Sequence, residues 1–395
     1  MKPELLAPAG NPEKLKLAFR YGADAVYLGG KSFSLRTFAD NFTDGELAAA
    51  VAYAHGLGKK VYAAANVFAR NADFKALEAH LRLLGEIGAD GVLVSDAGVL
   101  RLARRVSPDL PVHISTQANT LNGEAVKFWQ EAGAVRVVLA REVSLAEIAE
   151  IHAACPDMEL EAFVHGAMCI SYSGRCYLSD YLDGRSSNRG ACAQPCRYRY
   201  EIRAEGKDGF LPLEEDGRGT YLLNSRDLNM SAHLKELAEA GVCSFKIEGR
   251  MKSESYLATV VNAYRRIIDG GHSEALAGEL ETISHRAYTT AYAFGKNPDT
   301  VSASDSQVAG TCDFIAVVEG SENGRVRVEM RNRFYEGDEL EILTPSTHFG
   351  HRVRVLNMRD AENNPCTDAK LVKGIYTFAC PYPLQAGDIL RRRVR

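Results

Sequence analysis

Eight apolar segments of strand length recur between residues 5 and 249, and amphipathic segments separate them. The amphipathic segments repeat apolar residues with helical spacing, and several end in Gly-Ala or Gly-Leu turns. Strict alternation of strands and helices predicts a parallel sheet, and eight strands can close into a (β/α)8 barrel. We therefore predict a TIM-like barrel of the α/β class, with an open doubly wound sheet as the alternative. The predicted strands are Leu5–Pro8, Ala25–Gly29, Val61–Asn66, Gly91–Ser95, Val112–Gln117, Val135–Arg141, Leu160–His165 and Phe245–Gly249.

The regular spacing stops after the seventh predicted strand, and the next helical pattern begins only at Ser231. This predicts an insertion at about residues 166–230, which in a barrel emerges at the C-terminal face, where active sites of this fold lie. From residue 305 onward, short alternating segments divided by glycine and asparagine turns predict a small all-β barrel. We accordingly divide the chain into a catalytic barrel (1–272), a connecting arm (273–304) and a C-terminal domain (305–395).

The predicted insertion holds four of the nine cysteines of the chain. Cys192 and Cys196 are separated by three residues, which suits a metal chelate, whereas Cys169 and Cys176 are too far apart for an ordinary zinc knuckle. Iron–sulfur clusters accept irregular spacings and need four soft ligands. The residues alone therefore predict a metal site, and they leave an iron–sulfur cluster and structural zinc both open.

Cysteine usage and hydropathy bear on where the protein works. An odd number of clustered cysteines indicates a reducing compartment and no disulfide framework. The sequence has no apolar stretch of membrane-spanning length and no signal-peptide core. We therefore predict a cytoplasmic protein without a membrane partner.

The net charge of −4 does not by itself indicate a nucleic-acid-binding protein. Arginines are nevertheless concentrated in three places, and the alternative for each is an ordinary solvated face. These patches lie within residues 175–203, 325–333 and 391–395.

Three predicted strands alternate so that charged and hydrogen-bonding side chains share one face. A purely structural lumen would carry packed aliphatic side chains, so this face predicts a functional site at one end of the barrel. An internal layer of ion pairs that only closes the barrel is the alternative. The residues on this face are Lys246, Glu248 and Arg250 in the eighth strand, Glu161, Phe163 and His165 in the seventh, and His113, Ser115 and Gln117 in the fifth.

Common hydrolase motifs are missing from the sequence. It has no His-Glu-x-x-His, so zincin chemistry lacks its residues, and no Gly-x-Ser-x-Gly nucleophile elbow. Gly29-Gly30 and Gly56-Leu57-Gly58 are turns without the full dinucleotide-binding fingerprint. The absence of these motifs thus favours chemistry other than hydrolysis or nucleotide-dependent reactions.

Five groups of segments carry a resemblance to known proteins: Glu4–Gly10, Gly22–Gly29, His165–Cys176, Asn188–Gly190 with Cys192 and Cys196, and Lys246–Lys252. With these segments, and over essentially the whole chain, the sequence resembles the collagenase-like family called peptidase U32. The family name implies proteolysis, but the resemblance also implies oxygen-independent hydroxylation with a 4Fe-4S cluster. Members act on tRNA wobble uridine, on rRNA cytidine or on ubiquinone precursors, and prephenate is implicated in the RNA-directed branches.

The resemblance implies an iron–sulfur cluster in preference to zinc. Some relatives place a ligand cysteine after an Asp-Leu pair, but here Asp227-Leu228 is followed by Asn229, so Cys196 is taken as the fourth ligand. One barrel plus one β-barrel tail matches the tRNA branch, whose product is 5-hydroxyuridine at the wobble position. A protease, a hydroxylase of rRNA cytidine or of a quinone precursor, and an RNA-binding scaffold with a structural metal are the alternatives. The four implied ligands are Cys169, Cys176, Cys192 and Cys196.

The same resemblance implies roles for individual residues around the barrel mouth. Aromatic rings would hold the base, cationic groups would hold a dicarboxylate, and His165 would donate or accept a proton. The predicted catalytic residues are His165, Glu161, Lys246, Glu248 and Arg250. The predicted substrate-binding residues are Arg36, Tyr27, Asn66, His113, Gln117, Tyr172 and Arg189.

The predicted partners are tRNA and a small dicarboxylate co-substrate such as prephenate. The sequence does not identify an electron donor. The C-terminal domain, with its arginines, is predicted to bind RNA phosphate. Its alternative role is in folding or in the contacts of a homodimer.

Overall fold

The computed structural model of the protein describes residues 2–35, 40–198, 215–216, 219–220, 224–295, 300 and 309–394. The chain divides into two compact units. The second unit takes most of its residues from Ser253 onward, so it begins before the domain boundary that the sequence suggested at residue 272. The first unit comprises Met1–Phe19, Ala23–Lys252 and His285–Val308, and the second comprises Arg20–Gly22, Ser253–Ser284 and Ala309–Arg395.

Eight parallel strands form a closed barrel in the first unit. Each strand pairs with its neighbour in chain order, and the last strand pairs with both the first and the seventh. The predicted TIM-like barrel is therefore confirmed, and the open-sheet alternative is wrong. The barrel strands are β1 (Glu4–Pro8), β2 (Ala25–Gly29), β3 (Lys60–Ala64), β4 (Gly91–Val94), β5 (Val112–Ile114), β6 (Arg136–Val138), β7 (Glu159–Ala167) and β11 (Val242–Ile247).

Helices alternate with these strands, and local sequence explains where several begin. Thr43 and Ser144 each accept a hydrogen bond from the backbone three residues ahead, where Glu46 and Glu147 complete a capping box. In the third helix Leu77, Leu81 and Leu84 repeat with helical spacing and are buried. The helices are α1 (Pro12–Arg20), α2 (Asp44–Gly56), α3 (Phe74–Glu86), α4 (Ala97–Val106), α5 (Gly123–Glu131), α6 (Leu145–Ala154), α7 (Leu178–Asp183) and α8 (Leu234–Glu239).

The predicted insertion lies between β7 and α8. It contains α7, the hairpin of β8 (Glu215–Asp216) with β9 (Gly219–Thr220), and β10 (Asp227–Asn229). β10 pairs antiparallel with the end of β7 and parallel with β12 (Tyr288–Thr289). Because the insertion leaves the C-terminal end of β7, it is placed at the barrel end where active sites of this fold lie.

The second unit combines two helices with an antiparallel β domain, which confirms the predicted all-β C-terminal domain. The helices are α9 (Glu254–Ile268) and α10 (Ser273–Leu280). Six strands form one sheet in the order β17-β16-β20-β13-β14-β19, and β15 pairs with β18. The strands are β13 (Cys312–Glu322), β14 (Arg325–Met330), β15 (Phe334–Tyr335), β16 (Glu339–Leu343), β17 (Arg352–Arg354), β18 (Asp368–Ala369), β19 (Ile375–Ala379) and β20 (Ile389–Arg393).

The arginines of the second unit bear on the predicted RNA-binding role. Arg327 pairs with Glu319, Arg333 with Asp368, and Arg392 with both Asp313 and Asp338. Arg391 is buried and pairs with Glu279 and Glu341. These side chains are therefore already neutralised inside the unit, which weakens the argument that they form a patch for phosphate.

Across the part of the chain that the structure describes, no helix has the length and apolar character needed to cross a bilayer.

Candidate active site

A cavity of about 420 Å³ opens at the C-terminal ends of the barrel strands. Its walls come from the barrel and from the insertion, as the position of the insertion after β7 requires. We call it the barrel cavity. The lining residues that matter below are Tyr27, Asn66, Ser115, Gln117, Arg141, Phe163, Lys246, Glu248, Arg250 and Lys252 from the barrel side, and Cys169, Cys176, Cys192, Cys196 and Arg197 from the insertion.

All four cysteines predicted as ligands line this one cavity, and all are free thiols. The backbone N–H of Leu178 donates to Sγ of Cys176, and that of Gln194 donates to Sγ of Cys192, both at 3.4 Å. Such N–H···S bonds favour thiolates and are among the features that set the potential of iron–sulfur clusters. The donor set therefore fits a thiolate-bound cofactor.

Electrostatics around the thiols have two opposing parts. Burial raises the pKa of Cys169 and Cys196, and the neighbouring cysteines raise both further. Arg141 lowers the pKa of Cys169, and Arg197 lowers that of Cys196. The two arginines thus supply positive charge where a cluster with four thiolates would bring negative charge.

Among the described residues, no three His, Cys, Asp or Glu side chains stand close enough to hold a single metal ion.

A network of buried charges lies beneath the cavity. Glu161 accepts hydrogen bonds from Nζ of Lys246 at 2.7 Å and from Nη1 of Arg136 at 3.1 Å, and Arg136 also reaches Glu4 at 2.7 Å. Burial opposes the charged form of Glu161, but Lys246 and Arg136 lower its pKa below the ordinary value. Glu161 is thus held as an ion pair away from the cavity lining, and its surroundings favour the predicted alternative of a layer that closes the barrel.

Lys246 connects this network to the cavity. Its Nζ lies 4.4 Å from the ring centroid of Tyr27 and 5.5 Å from that of Phe163, within the range of cation–π attraction. The hydroxyl of Tyr27 donates to the backbone oxygen of Ile247 at 2.9 Å and contacts Oε2 of Glu248 at 3.3 Å. The two aromatic rings and the ammonium group therefore form one fixed wall.

Arg250 also lines the cavity and is buried. Its Nη1 donates to Oγ of Ser34 at 2.5 Å, and its Nη2 donates to Oδ1 of Asn41. A side chain at Gly29 would place a Cβ 2.5 Å from Nη2 of Arg250, so glycine is required there. Gly29, the first glycine of the Gly29-Gly30 turn, thus leaves room for the guanidinium group of Arg250.

Asn66 and Gln117 present unused acceptors to the cavity. Nδ2 of Asn66 donates to Oγ of Ser115 at 3.3 Å, and this contact orients the amide. Oδ1 of Asn66 and Oε1 of Gln117 are buried and have no hydrogen-bond partner among the described residues. A buried acceptor without a donor is costly, so these two atoms are suited to a ligand that carries N–H or O–H groups.

Neither His165 nor His113 belongs to the cavity lining that the structure describes. A β-bulge aligns Lys246 with Phe163 but Ile247 with His165, so His165 shares the side of Ile247, opposite to Lys246. Its ring lies 5.5 Å from that of Tyr288. His113 is buried with its ring 4.7 Å from Tyr62. Burial lowers the pKa of each histidine to about 3.

The remaining predicted binding residues also stand apart from the described lining. Tyr172 is exposed on the insertion. Arg189 donates to both carboxylate oxygens of Asp73, at 2.9 and 3.2 Å, and lowers the pKa of that carboxyl to about 2. The ion pair gives Arg189 a structural partner. Arg36 lies outside the described residues.

Sequence reasoning missed Arg141 and Arg197. The guanidinium of Arg141 lies 4.4 Å above the ring of Phe163, and its Nη1 donates to the backbone oxygen of Ala167 at 2.7 Å. Burial lowers the pKa of Arg197. The available signals were the adjacency of Arg197 to Cys196 and the position of Arg141 as the last residue of the sixth predicted strand.

Comparison with known proteins identifies the family to which the chain belongs. The model of peptidase family U32 matches residues 10–303, and the model of the U32 C-terminal domain matches residues 310–391. The chain belongs to peptidase family U32. This confirms the resemblance inferred from the sequence segments.

Curated proteins similar to this chain carry different names. The tRNA hydroxylation protein P1 of Bacillus subtilis (strain 168) is 40% identical, and the match covers 95% of this chain and 93% of that protein. The tRNA hydroxylation protein P of Helicobacter pylori (strain J99 / ATCC 700824) is 42% identical, with 99% of each chain covered. A collagenase of Porphyromonas gingivalis (strain ATCC BAA-308 / W83) is 32% identical, with 74% of each chain covered.

Proposed function

We propose that this chain is a tRNA hydroxylase that forms 5-hydroxyuridine at the wobble position without molecular oxygen. Cys169, Cys176, Cys192 and Cys196 would hold a 4Fe-4S cluster, and prephenate or a similar dicarboxylate would be the co-substrate. The observation that carries the proposal is that all four thiols line the same cavity as the polar barrel residues. Nearly full-length similarity to two proteins named for tRNA hydroxylation supports the choice of substrate.

The cavity suits a nucleobase taken out of its stack. Carbon five of a uridine can be reached only when the base leaves the helix or loop stack, and a flipped base is usually held by aromatic contacts and by edge hydrogen bonds. The wall of Tyr27 and Phe163 offers aromatic faces. Oδ1 of Asn66 and Oε1 of Gln117 are acceptors suited to N3–H of the base. The nearby amide nitrogens can donate to its carbonyl oxygens.

The same cavity suits an anionic co-substrate. Among the described residues the lining has five cationic side chains and the single carboxylate of Glu248; the cations are Lys246, Arg250, Arg197, Arg141 and Lys252. Arginine and lysine bind carboxylates through short, charge-assisted hydrogen bonds. Burial lowers the pKa of Lys252, so bound carboxylate would offset part of the cost of its charge. When bound, the cluster would supply electron-transfer chemistry beside these residues.

Proteolysis is the second candidate, because a relative named collagenase covers 74% of the chain. The sequence lacks the hydrolase motifs named above, and the one serine–carboxylate contact described at the lining, that of Ser173 with Glu142, also uses the N–H of Ser173 and so fixes the backbone there. Hydroxylation of rRNA cytidine or of a quinone precursor would use the same cavity. The choice between these substrates therefore needs a measurement of the product.

The deciding experiment is nucleoside mass spectrometry of tRNA from a strain that lacks the gene. We expect 5-hydroxyuridine to be absent there and to be restored by the wild-type chain. Cys192→Ser should not restore it, and Gln117→Leu should not restore it while retaining iron. Unchanged 5-hydroxyuridine in the deletion strain would refute the proposal. Gelatin zymography of the pure protein tests the collagenase alternative, for which a cleared band is required.

A further inference from the structure

Three tyrosines of the insertion expose unusually large parts of their surface. Tyr172 is 55% exposed, Tyr177 is 68% exposed and Tyr181 is 74% exposed. The ring centroids of Tyr177 and Tyr181 are 6.4 Å apart. Contiguous exposed aromatic groups on a folded protein commonly mark a binding surface. We call these residues the rim tyrosines.

The rim tyrosines alternate with residues that line the barrel cavity. Ser173 and Gly174 follow Tyr172 directly, and Cys176 and Leu178 flank Tyr177, and all four of these residues line the cavity. The backbone of this segment therefore has one side toward the cavity while the tyrosines face solvent. The rings therefore lie next to residues of the cavity wall, where a polymer with one residue inside the cavity can bring a neighbouring residue against them.

Several buried contacts fix the backbone that carries the rings. Ser173 adopts a left-handed conformation, and both its N–H and its hydroxyl donate to Glu142, at 2.8 and 2.6 Å. Buried Ser179 donates to the backbone oxygen of Arg185 at 2.7 Å. Asn188 donates to the backbone oxygen of Cys176 at 2.9 Å. The rings are thus presented by an ordered backbone, which reduces the entropy lost on binding.

Charge and ring chemistry indicate what binds there. The exposed arginines of the segment are Arg175, Arg185 and Arg189, and Arg189 is already paired with Asp73. Asp180 and Asp183 offset much of the remaining charge. A surface with little net charge but several aromatic faces favours stacking over phosphate neutralisation. Stacking on aromatic side chains is the usual way in which proteins hold unpaired bases.

We propose that the rim tyrosines stack the unpaired nucleotides that flank the target base, so that the partner of this surface is a single-stranded RNA loop. The inference rests on the proposed function, since it assumes that the target base enters the barrel cavity. The cavity would choose the base, and the rim tyrosines would hold the strand. Because stacking releases few counterions, their contribution is insensitive to salt.

The test compares two double variants of the full-length holoprotein, Tyr177→Ala with Tyr181→Ala and Tyr177→Phe with Tyr181→Phe. The probe is a fluorescein-labelled RNA hairpin with the anticodon loop, and the readout is fluorescence anisotropy at several salt concentrations. We expect the alanine pair to weaken binding by about tenfold or more for each lost stack, with an unchanged salt slope. The phenylalanine pair should bind like the wild type, because stacking needs the ring and not the hydroxyl.

Controls separate this inference from general damage. Tyr53→Ala and Phe128→Ala remove rings that are 40% and 54% exposed on α2 and α5, and they should not change RNA affinity. Iron content and absorbance should be equal in all variants. Unchanged hairpin affinity in the alanine pair would overturn the inference, and slower turnover without weaker RNA binding would overturn it in favour of a protein partner. If wild type neither bound nor hydroxylated RNA, the proposed function itself would fail.

Discussion

At the scale of single residues, the cysteines make the sharpest distinction. Four thiols line the barrel cavity, whereas Cys243 lies on β11 with its Sγ 3.4 Å from the backbone oxygen of Leu160. Burial raises the pKa of Cys243 to about 11, so this thiol stays protonated near neutral pH. It is a matched control for the four proposed ligands.

We predict that anaerobically purified protein contains about four iron and four sulfide per chain, as one 4Fe-4S cluster requires. Cys169→Ser, Cys176→Ser, Cys192→Ser and Cys196→Ser should each remove most of the brown chromophore, and Cys243→Ser should keep it. Metal analysis and visible absorbance check both statements. Colourless wild-type protein with one zinc per chain after anaerobic reconstitution would instead support the zinc alternative.

The two buried histidines predict how stability depends on pH. Burial lowers the pKa of His113 and His165 to about 3, whereas an unfolded chain binds a proton at an ordinary histidine near 6.5. Between these values the unfolded chain holds more protons, so stability falls as the pH drops below about 6.5. The loss is up to roughly 1.4 kcal/mol per pH unit for each ring.

Urea unfolding followed by circular dichroism at pH 7 and pH 5 measures this loss. His165→Phe should make the pH dependence shallower, because it removes one of the two rings that must be protonated on unfolding. The matched control is the same substitution, His272→Phe, at an exposed histidine. An unaltered slope in His165→Phe would mean that its imidazole is protonated in the folded protein as well.

At the scale of elements, alternation and turn residues were enough to predict the barrel strands. The second strand was predicted at Ala25–Gly29 and is observed there. The fifth was predicted to continue to Gln117 but ends at Ile114, because Thr116–Ala118 form a helical turn. The side of the strand that His165 takes could not be predicted, since a bulge depends on pairing with β11 and leaves no local signal.

The site shows the same division between local and long-range information. Spacing and residue type identified the four cysteines, Lys246 on β11 and Arg250 just after it. They could not show that Glu161 is neutralised by Arg136 and Lys246, or that Arg189 is held by Asp73, because the partners lie far away along the chain. The strand β20 was also missed, since its arginines suggested a basic tail.

β20 supplies a prediction about stability. Arg391 is buried within the sheet and pairs with Glu341 and Glu279. Removing one partner of a buried ion pair costs up to about 3–5 kcal/mol, and Arg393, which also pairs with Glu279 and Glu341, offsets part of that cost. Arg391→Ala should therefore destabilise the second unit by several kcal/mol, as measured by chemical denaturation. Arg352→Ala breaks an exposed pair with Glu339 on the neighbouring strands and should have a much smaller effect. Equal losses of stability in the two variants would contradict the interpretation of Arg391 as a buried ion-pair partner.

At the scale of the whole molecule, the arginines of the second unit lead to a prediction about RNA binding. Arg327 and Arg333 are exposed but paired with Glu319 and Asp368. We expect Arg327→Gln with Arg333→Gln to change the log-log salt slope of tRNA binding by less than about one unit, the value for one phosphate contact. Filter binding at several salt concentrations checks this. A larger decrease would mean that these pairs open when RNA binds.

The bulge in β7 makes the direction of His165 depend on the number of residues before it and not on their identity. One additional residue in β11 between Lys246 and Ile247 would restore simple alternation in β7 and turn the histidine toward the lumen, whereas loss of Val164 would restore one-to-one pairing and leave it on the side opposite to Phe163. A lineage could thus exchange the side chain offered to a substrate by gaining or losing a single codon, with the strand order and composition unchanged. Aligned histidines in proteins that differ by a gap at this point would then be equivalent in sequence but not in chemistry.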